Sequence, residues 1–133
     1  MFVDASAIVA ILTEESDGPA LTAVLDTSEG LVTSAIAIWE SAVRLMSKST
    51  LSEEEAYEKI QQFLISAAIV TVPIGADEAE IAVIAYGRYG KRRHPADLNM
   101  GDCFAYACAK TKAVPLLYIG NDFAQTDVND RFA

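Results

Sequence analysis

Residues 1–12 read MFVDASAIVAIL, and the fold is decided by how that stretch divides. Phe2-Val3-Asp4 reads as a short buried strand, and Ala5 to about Glu15 as a helix. The same succession of apolar strand and then helix recurs along the chain. Leu31-Val32-Thr33 is a strand before a helix from Ala35 to about Ser47, and Ile69–Val72 is a strand before a helix from Asp77 to about Tyr89. Leu116–Ile119, ended by Gly120, is a strand before a polar tail with a short helix at Asp122–Gln125. Further helices open where their caps stand. Gly18-Pro19 begins one that runs to about Ser28. Ser52 with Glu55 forms a capping box for one to about Ala67. Asn99 opens one to about Lys112, after a basic loop from Gly90 to Pro95. Continuous apolar strands alternating with helices imply a parallel sheet covered on both faces. With right-handed crossovers this is an α/β protein, a three-layer α/β/α sandwich with a central parallel sheet of four to five strands.

The 133 residues are one domain, 1–133, large enough to bury about two-thirds of the surface the unfolded chain exposes. Hydrophobic residues make up 52% and charged residues 22%, which excludes a mainly disordered chain. Ten Lys and Arg against 19 Asp and Glu give a net charge of −9. That excludes a generic polyanion binder held by bulk charge, so contact with nucleic acid needs a local basic patch or bound cations. The first residues have no positive leader and carry Asp4 within their apolar run, and no apolar run reaches the ~20 residues of a membrane helix. A cytoplasmic protein without membrane contact is expected. Cys103 and Cys108, five apart on a helix, point to different faces and read as buried free thiols.

Most acids stand in crowds, such as Glu53, Glu54, Glu55 and Glu58, and read as solvated helix faces or first-turn acids. Asp4, Glu40, Asp102 and Asp122 differ, because each is the single charge in a segment that otherwise looks like core. Asp4 ends the first strand. Glu40 lies about a turn into the helix after the second strand, Asp102 is in the first turn of its helix, and Asp122 follows the fourth strand by three residues. In a parallel α/β sheet these positions gather at one edge, where ligands bind. Each acid also has a local explanation. Asp4 can cap the first helix beside Ser6, Glu40 can pair with Arg44, Asp102 can close a capping box with Asn99, and Asp122 can be an ordinary turn residue. If the four do converge, burial and like-charge repulsion must be relieved, and a divalent cation does so. An all-oxygen site selects Mg²⁺ or Mn²⁺, and such ions bind phosphate oxygens and activate water. Four acids without a nucleophile triad point to phosphodiester hydrolysis.

Other signals are weaker. Arg88, Lys91, Arg92, Arg93 and His94 form the one basic cluster, which reads equally as a contact to a nucleic-acid backbone, through the first four, or as a solvated loop. Trp39 is expected in the core beside Ile38 and Ala42, and Tyr86, Tyr89 and Tyr106 are expected to pack. There is no P-loop, no GxGxxG after a strand and no HExxH.

Four stretches in order, FVDASA, TSAIAIWE, HPADLNMGDCFAYACA and PLLYIGNDFAQTD, together cover nearly the whole chain. They resemble the PIN-domain family, specifically VapC-type toxins of bacterial toxin–antitoxin systems. The resemblance implies a Mg²⁺- or Mn²⁺-dependent endoribonuclease with its acidic quartet on Asp4, Glu40, Asp102 and Asp122. Supporting polar positions would be Ser6, Ser34 and Asn99. The last position stays open among Asn121, Asp122 and Asp127, since many relatives carry an acid where this chain has Asn121; Asp127 would be an outer ligand. The family also implies a cognate antitoxin, a homodimer or higher toxin–antitoxin assembly, and a fifth strand near Asp127–Asn129. One alternative is a non-catalytic metal-binding or regulatory module acting through a protein–DNA complex. Another is a phosphatase or DNA nuclease with a similar edge, although the D-x-D start of aspartyl phosphatases is absent. A receiver-like domain would need a Lys after the fourth strand, where Gly120-Asn121 stands.

Overall fold

A computed structural model describes residues 1–128. Its elements in chain order are β1 (Phe2–Val3), α1 (Ala5–Leu12), α2 (Gly18–Asp26), β2 (Val32–Ser34), α3 (Ala35–Lys48), α4 (Glu53–Ser66), β3 (Val70–Val72), α5 (Ala76–Tyr89), α6 (Met100–Lys112) and β4 (Leu116–Leu117). A 3₁₀ turn, Phe123–Gln125, follows β4. The four strands form one parallel sheet in the order β3-β2-β1-β4. The α/β sandwich expected from the sequence is therefore the observed fold, with β1 in its interior. Phe2 pairs with Val32 on one side and with Leu116 on the other, and Val3 pairs with Leu117.

The two-residue period of a strand sends neighbours to opposite faces, and here it divides the core in two. Phe2 and Leu116 face a cluster built with Leu98, Tyr106, Cys108, Tyr118 and Phe123, covered by α5 and α6. Val3 and Leu117 face a second cluster, with Ile8, Leu21, Leu25, Leu45, Ile60 and Leu64 from α1 to α4. Each cluster fills one of the two interlayer spaces of the sandwich.

Several local expectations are corrected. Asp4 is outside β1 and serves as the N-cap of α1. That helix ends at Leu12 because Glu14 takes a left-handed conformation, φ 55°. The fourth ladder holds Leu116 and Leu117 only. The third strand has the sequence of a buried one, yet Val70 is 62% exposed; β3 is an edge strand and is covered on fewer sides. Trp39, expected in the core, is 61% exposed on α3. Asp127 and Val128 are not in a strand, and Asn129 lies outside the described residues. Cys103 and Cys108 are buried and free, as expected. Among the described residues no helix is long and apolar enough to cross a membrane.

Candidate active site

The parallel arrangement brings the carboxyl ends of β1, β2 and β4 to one edge, together with the starts of α1, α3 and α6. Each of these helices is capped by a polar side chain, which sets where the acids stand. Asp4 directly follows β1, and its backbone N–H donates to Leu117 O at 3.0 Å. Its Oδ2 accepts from Ser6 N at 3.0 Å and from Ser6 Oγ at 2.6 Å. Ser6 Oγ in turn accepts from Ile119 N at 3.0 Å, so the hydroxyl ties β4's outgoing chain to the Asp4 carboxylate. Asp4 is buried, and these bonds leave its Oδ1 without a protein donor among the described residues. Ser34 caps α3 by accepting from Ala37 N at 3.2 Å. Thr33 Oγ1 donates to Val3 O at 2.9 Å, bracing β2 against β1 beside the site.

Asp102 closes the capping box of α6. Asn99 Oδ1 accepts from Asp102 N at 2.9 Å, and Asp102 Oδ2 accepts from Asn99 N at 3.0 Å. The flanking Leu98 and Cys103 are both buried in the core, as a hydrophobic staple requires. Glu40 reaches the same place from α3. A Cβ on Gly101 would collide with all three carboxyl atoms of Glu40. Only the bare Cα at that position lets the Glu40 carboxylate lie against the first turn of α6.

The acids act electrostatically on one another. The Glu40 carboxyl is pushed up to about 7, first by burial and then by the charges of Asp4 and Asp102. Asp102 is also pushed up to about 7, first by burial. The Asn99 N–H opposes that rise, and Asp4 and Asp122 add to it. Asp122, on the exposed rim, is raised by partial burial, then by Asp97 and Asp4. Arg44, one turn beyond Glu40 on α3, opposes the rise at Glu40, Asp102 and Asp122. The sequence offers Arg44 only as an i+4 partner of Glu40. In the structure it makes no ion pair within 4.0 Å among the described residues and acts from a distance on these three acids and on Glu15. Gly101 and Asp97 escape sequence reasoning; a glycine in the first turn of a helix, next to a candidate ligand, is the available signal for the first.

The donor set suits a hard divalent cation: all ligand atoms are carboxylate oxygens, and their mutual repulsion is what such an ion would neutralise. Gly101 provides the space that admits Glu40 to the group. Among the described residues, however, no three acidic, His or Cys side chains are already set as a ligand group. Asp4 is turned onto Ser6 and Asp102 onto the Asn99 backbone. The residues thus fit the ion in kind, while the Asp4 and Asp102 carboxylates are engaged by their own helix caps.

The remaining candidates fall in two places. Ser6, Ser34 and Asn99 stand at the acidic edge as caps. Asn121 is exposed beside Asp122. Asp127 has other partners: its carboxylate takes hydrogen bonds from Tyr106 and Tyr89 and pairs with Lys110. Arg88, Lys91, Arg92 and Arg93 are exposed on the end of α5 and the loop that leads into Asn99. Arg93 stacks over the Tyr86 ring at 5.5 Å. His94 is held edge-on to Tyr89 and accepts from Ala96 N at 3.0 Å through Nδ1, so it packs the loop.

Residues 1–129 match the PIN domain family. The chain is similar to a Ribonuclease VapC of Mycolicibacterium smegmatis, 40% identical over 96% of this chain and 97% of that one. It is 37% identical to Ribonuclease VapC30 of Mycobacterium tuberculosis, over 96% of this chain and 95% of that one. A VapC ribonuclease of Rhizobium meliloti is 38% identical over 96% and 98%. Among solved structures, the fold is similar to VapC20 of Mycobacterium tuberculosis, described as a Sarcin-Ricin loop cleaving toxin. The TM-score is 0.76 at 16% identity, over 96% of this chain and 95% of that one.

Proposed function

The chain belongs to the PIN-domain family, of the VapC type, and on that premise we propose that it is a metal-dependent endoribonuclease, the toxin of a toxin–antitoxin pair. One observation carries the reading. Asp4, Glu40, Asp102 and Asp122 come from four separate segments near the carboxyl edge of the sheet, and Glu40 and Asp102 are pushed up to about 7, first by burial and then by neighbouring acids, Asp4 among them in both cases. Among the described residues no cation stands within ion-pair distance of these acids, and Asp4 and Asp102 are held only by the hydrogen bonds of their helix caps.

Asp4, Glu40 and Asp102 would hold Mg²⁺ or Mn²⁺, with Asp122 completing the group from the rim. Such an ion supplies Lewis acidity to the scissile phosphate and raises the acidity of water. The protein's own residues do the positioning. Ser6 holds Asp4 by Oδ2 alone. Asn99 does the same for Asp102. Ser34 fixes the start of α3, which sets where Glu40 arrives. Arg88, Lys91, Arg92 and Arg93 would offer phosphate contacts along RNA, supplying the local positive patch that a −9 chain needs. A cognate antitoxin would neutralise the enzyme, and the acidic field would steer a basic segment of that partner to it. A homodimer or a larger toxin–antitoxin assembly in the cytoplasm would be the working form.

The test is cleavage of total RNA by the purified, antitoxin-free chain, titrated with Mg²⁺ and Mn²⁺, beside Asp4→Asn and Asp102→Asn. Both variants are expected to keep the wild-type circular dichroism spectrum and to lose cleavage by about a hundredfold or more. Undiminished cleavage by metal-replete Asp102→Asn would sink the assignment.

A further inference from the structure

Asp102, Tyr106 and Lys110 follow one another at intervals of four along α6, so they form a single stripe on that helix. The first is a site acid. The other two both hold Asp127. Tyr106 Oη donates to Asp127 Oδ1 at 2.7 Å, and Lys110 Nζ lies 3.0 Å from Asp127 Oδ2. Tyr89 Oη also donates to Oδ1, at 3.4 Å. Lys110 lies over the Tyr106 ring as well, at 5.6 Å, and Tyr106 is buried, so this end of the stripe is a built docking point.

The chain between Asp122 and Asp127 is tightly internally bonded. Phe123 is buried with its ring edge-on to Tyr118 at 5.0 Å. Phe123 O accepts from Thr126 N at 3.0 Å and from Thr126 Oγ1 at 2.7 Å, and Val128 N donates back to Thr126 Oγ1 at 3.1 Å. Gln125 Nε2 donates to Pro95 O at 3.3 Å. The segment is thus anchored twice, by Phe123 and Gln125 near its start and by Asp127 at its far end, with the Thr126 bonds linking the two. The near end is Asp122, whose charge is felt by Asp102 at the head of the same stripe.

We propose that Asp127 is a positioning residue: anchored on Tyr106 and Lys110, it docks residues 122–128 lengthwise along α6 and holds Asp122 against the other site acids. Asp127 itself stays off the ion. The part of this that concerns the ion rests on the metal-dependent reading above; the docking does not. Holding Asp122 near Asp4, Asp97 and Asp102 works against charge repulsion, and that tension makes the proposal measurable without metal or RNA.

The experiment is a double-mutant cycle in thermal stability at pH 8 with chelator. In the wild-type background, Asp122→Asn relieves the repulsion and is expected to raise Tm. In Asp127→Ala, where the segment loses one of its two anchors, the same substitution is expected to raise Tm by less. Tyr106→Phe keeps the ring and removes the 2.7 Å bond; it supplies a second background if Asp127→Ala does not fold, and the same narrowing is expected there. An equal gain in every background, or no gain in the wild type, would overturn the proposal. The second arm measures Mg²⁺ affinity by calorimetry. Asp127→Ala is expected to weaken Mg²⁺ binding no further once Asp122→Asn is present. Additive losses would instead make Asp127 a ligand in its own right and overturn the positioning role. Absence of Mg²⁺ binding by the wild type would refute the metal reading alone, with the stability cycle still deciding the docking.

Discussion

Replacing Glu40 by Gln should stabilise the metal-free protein, and the size of the gain follows from the site. Burial and the charges of Asp4 and Asp102 carry the Glu40 carboxyl from 4.5 to about 7. The folded state therefore binds this proton more tightly than the unfolded chain does. Stability from this group is fully present below about pH 4.5 and is lost as pH rises through about 7. At roughly 1.4 kcal/mol per tenfold, the whole rise corresponds to a ceiling of about 3 kcal/mol of destabilisation at pH 8. Glu40 is only half-buried, and solvent screening reduces that to about 1.5 kcal/mol. Gln has the same shape and no charge, so Glu40→Gln should raise Tm by about 5 °C at pH 8 in chelator. Near pH 4 the gain should vanish, because the native glutamate is then already neutral. Differential scanning fluorimetry from pH 4 to 8 reads both ends. Mg²⁺ should stabilise the wild type at pH 8 more than it stabilises the Glu40→Gln variant, since the ion and the substitution relieve the same repulsion. A gain of equal size at pH 4 and pH 8, or a loss at pH 8, would refute the reasoning.

Gly101→Ala should separate folding from chemistry. Alanine in the first turn of α6 contributes about 1 kcal/mol of helix preference, which offsets the push on the flexible end of Glu40. Stability measured by urea unfolding should thus change by less than about 1 kcal/mol, while RNA cleavage should fall by about a hundredfold because Glu40 is displaced. The two thiols should be inert in the native protein. Burial pushes Cys103 and Cys108 up to about 11, so iodoacetamide at pH 8 should label neither until denaturant is added, as intact-mass spectrometry would show.

The layers were legible because the strands are runs of apolar residues and the helices carry their own punctuation. Ser52 with Glu55 and Asn99 with Asp102 both form the capping boxes their spacing implies. Asp4 and Asp102, lone charges in apolar segments, are buried as that setting suggests, whereas Asp122 is exposed. What the sequence did not reveal depends on neighbours distant in the chain. Val70 looks like any core valine, and only the strand order shows that β3 lies at the sheet's edge. Trp39 sits beside apolar residues on α3, but its own face of the helix is left uncovered. Asp127 looks like a further member of the acidic motif, and its pairing with Tyr106 and Lys110 is formed across residues 21 and 17 positions away. Gly101 carries no chemistry of its own, and its role appears only once Glu40 is seen to arrive from another helix.

The central place of β1 in the sheet also bears on biosynthesis. Asp4 is made long before the residues that frame it. Leu117 O holds its N–H, and Ile119 N holds the Ser6 hydroxyl that orients it, across a separation of 113 residues. Contacts of such long sequence separation are among the last a chain can form while it is being synthesised. Until β4 has cleared the ribosome, the growing chain carries its first acids without the edge that gathers them. The acidic edge therefore assembles late, which would keep an enzyme that cuts RNA inert for most of the time it is attached to the machine, itself built of RNA, that makes it.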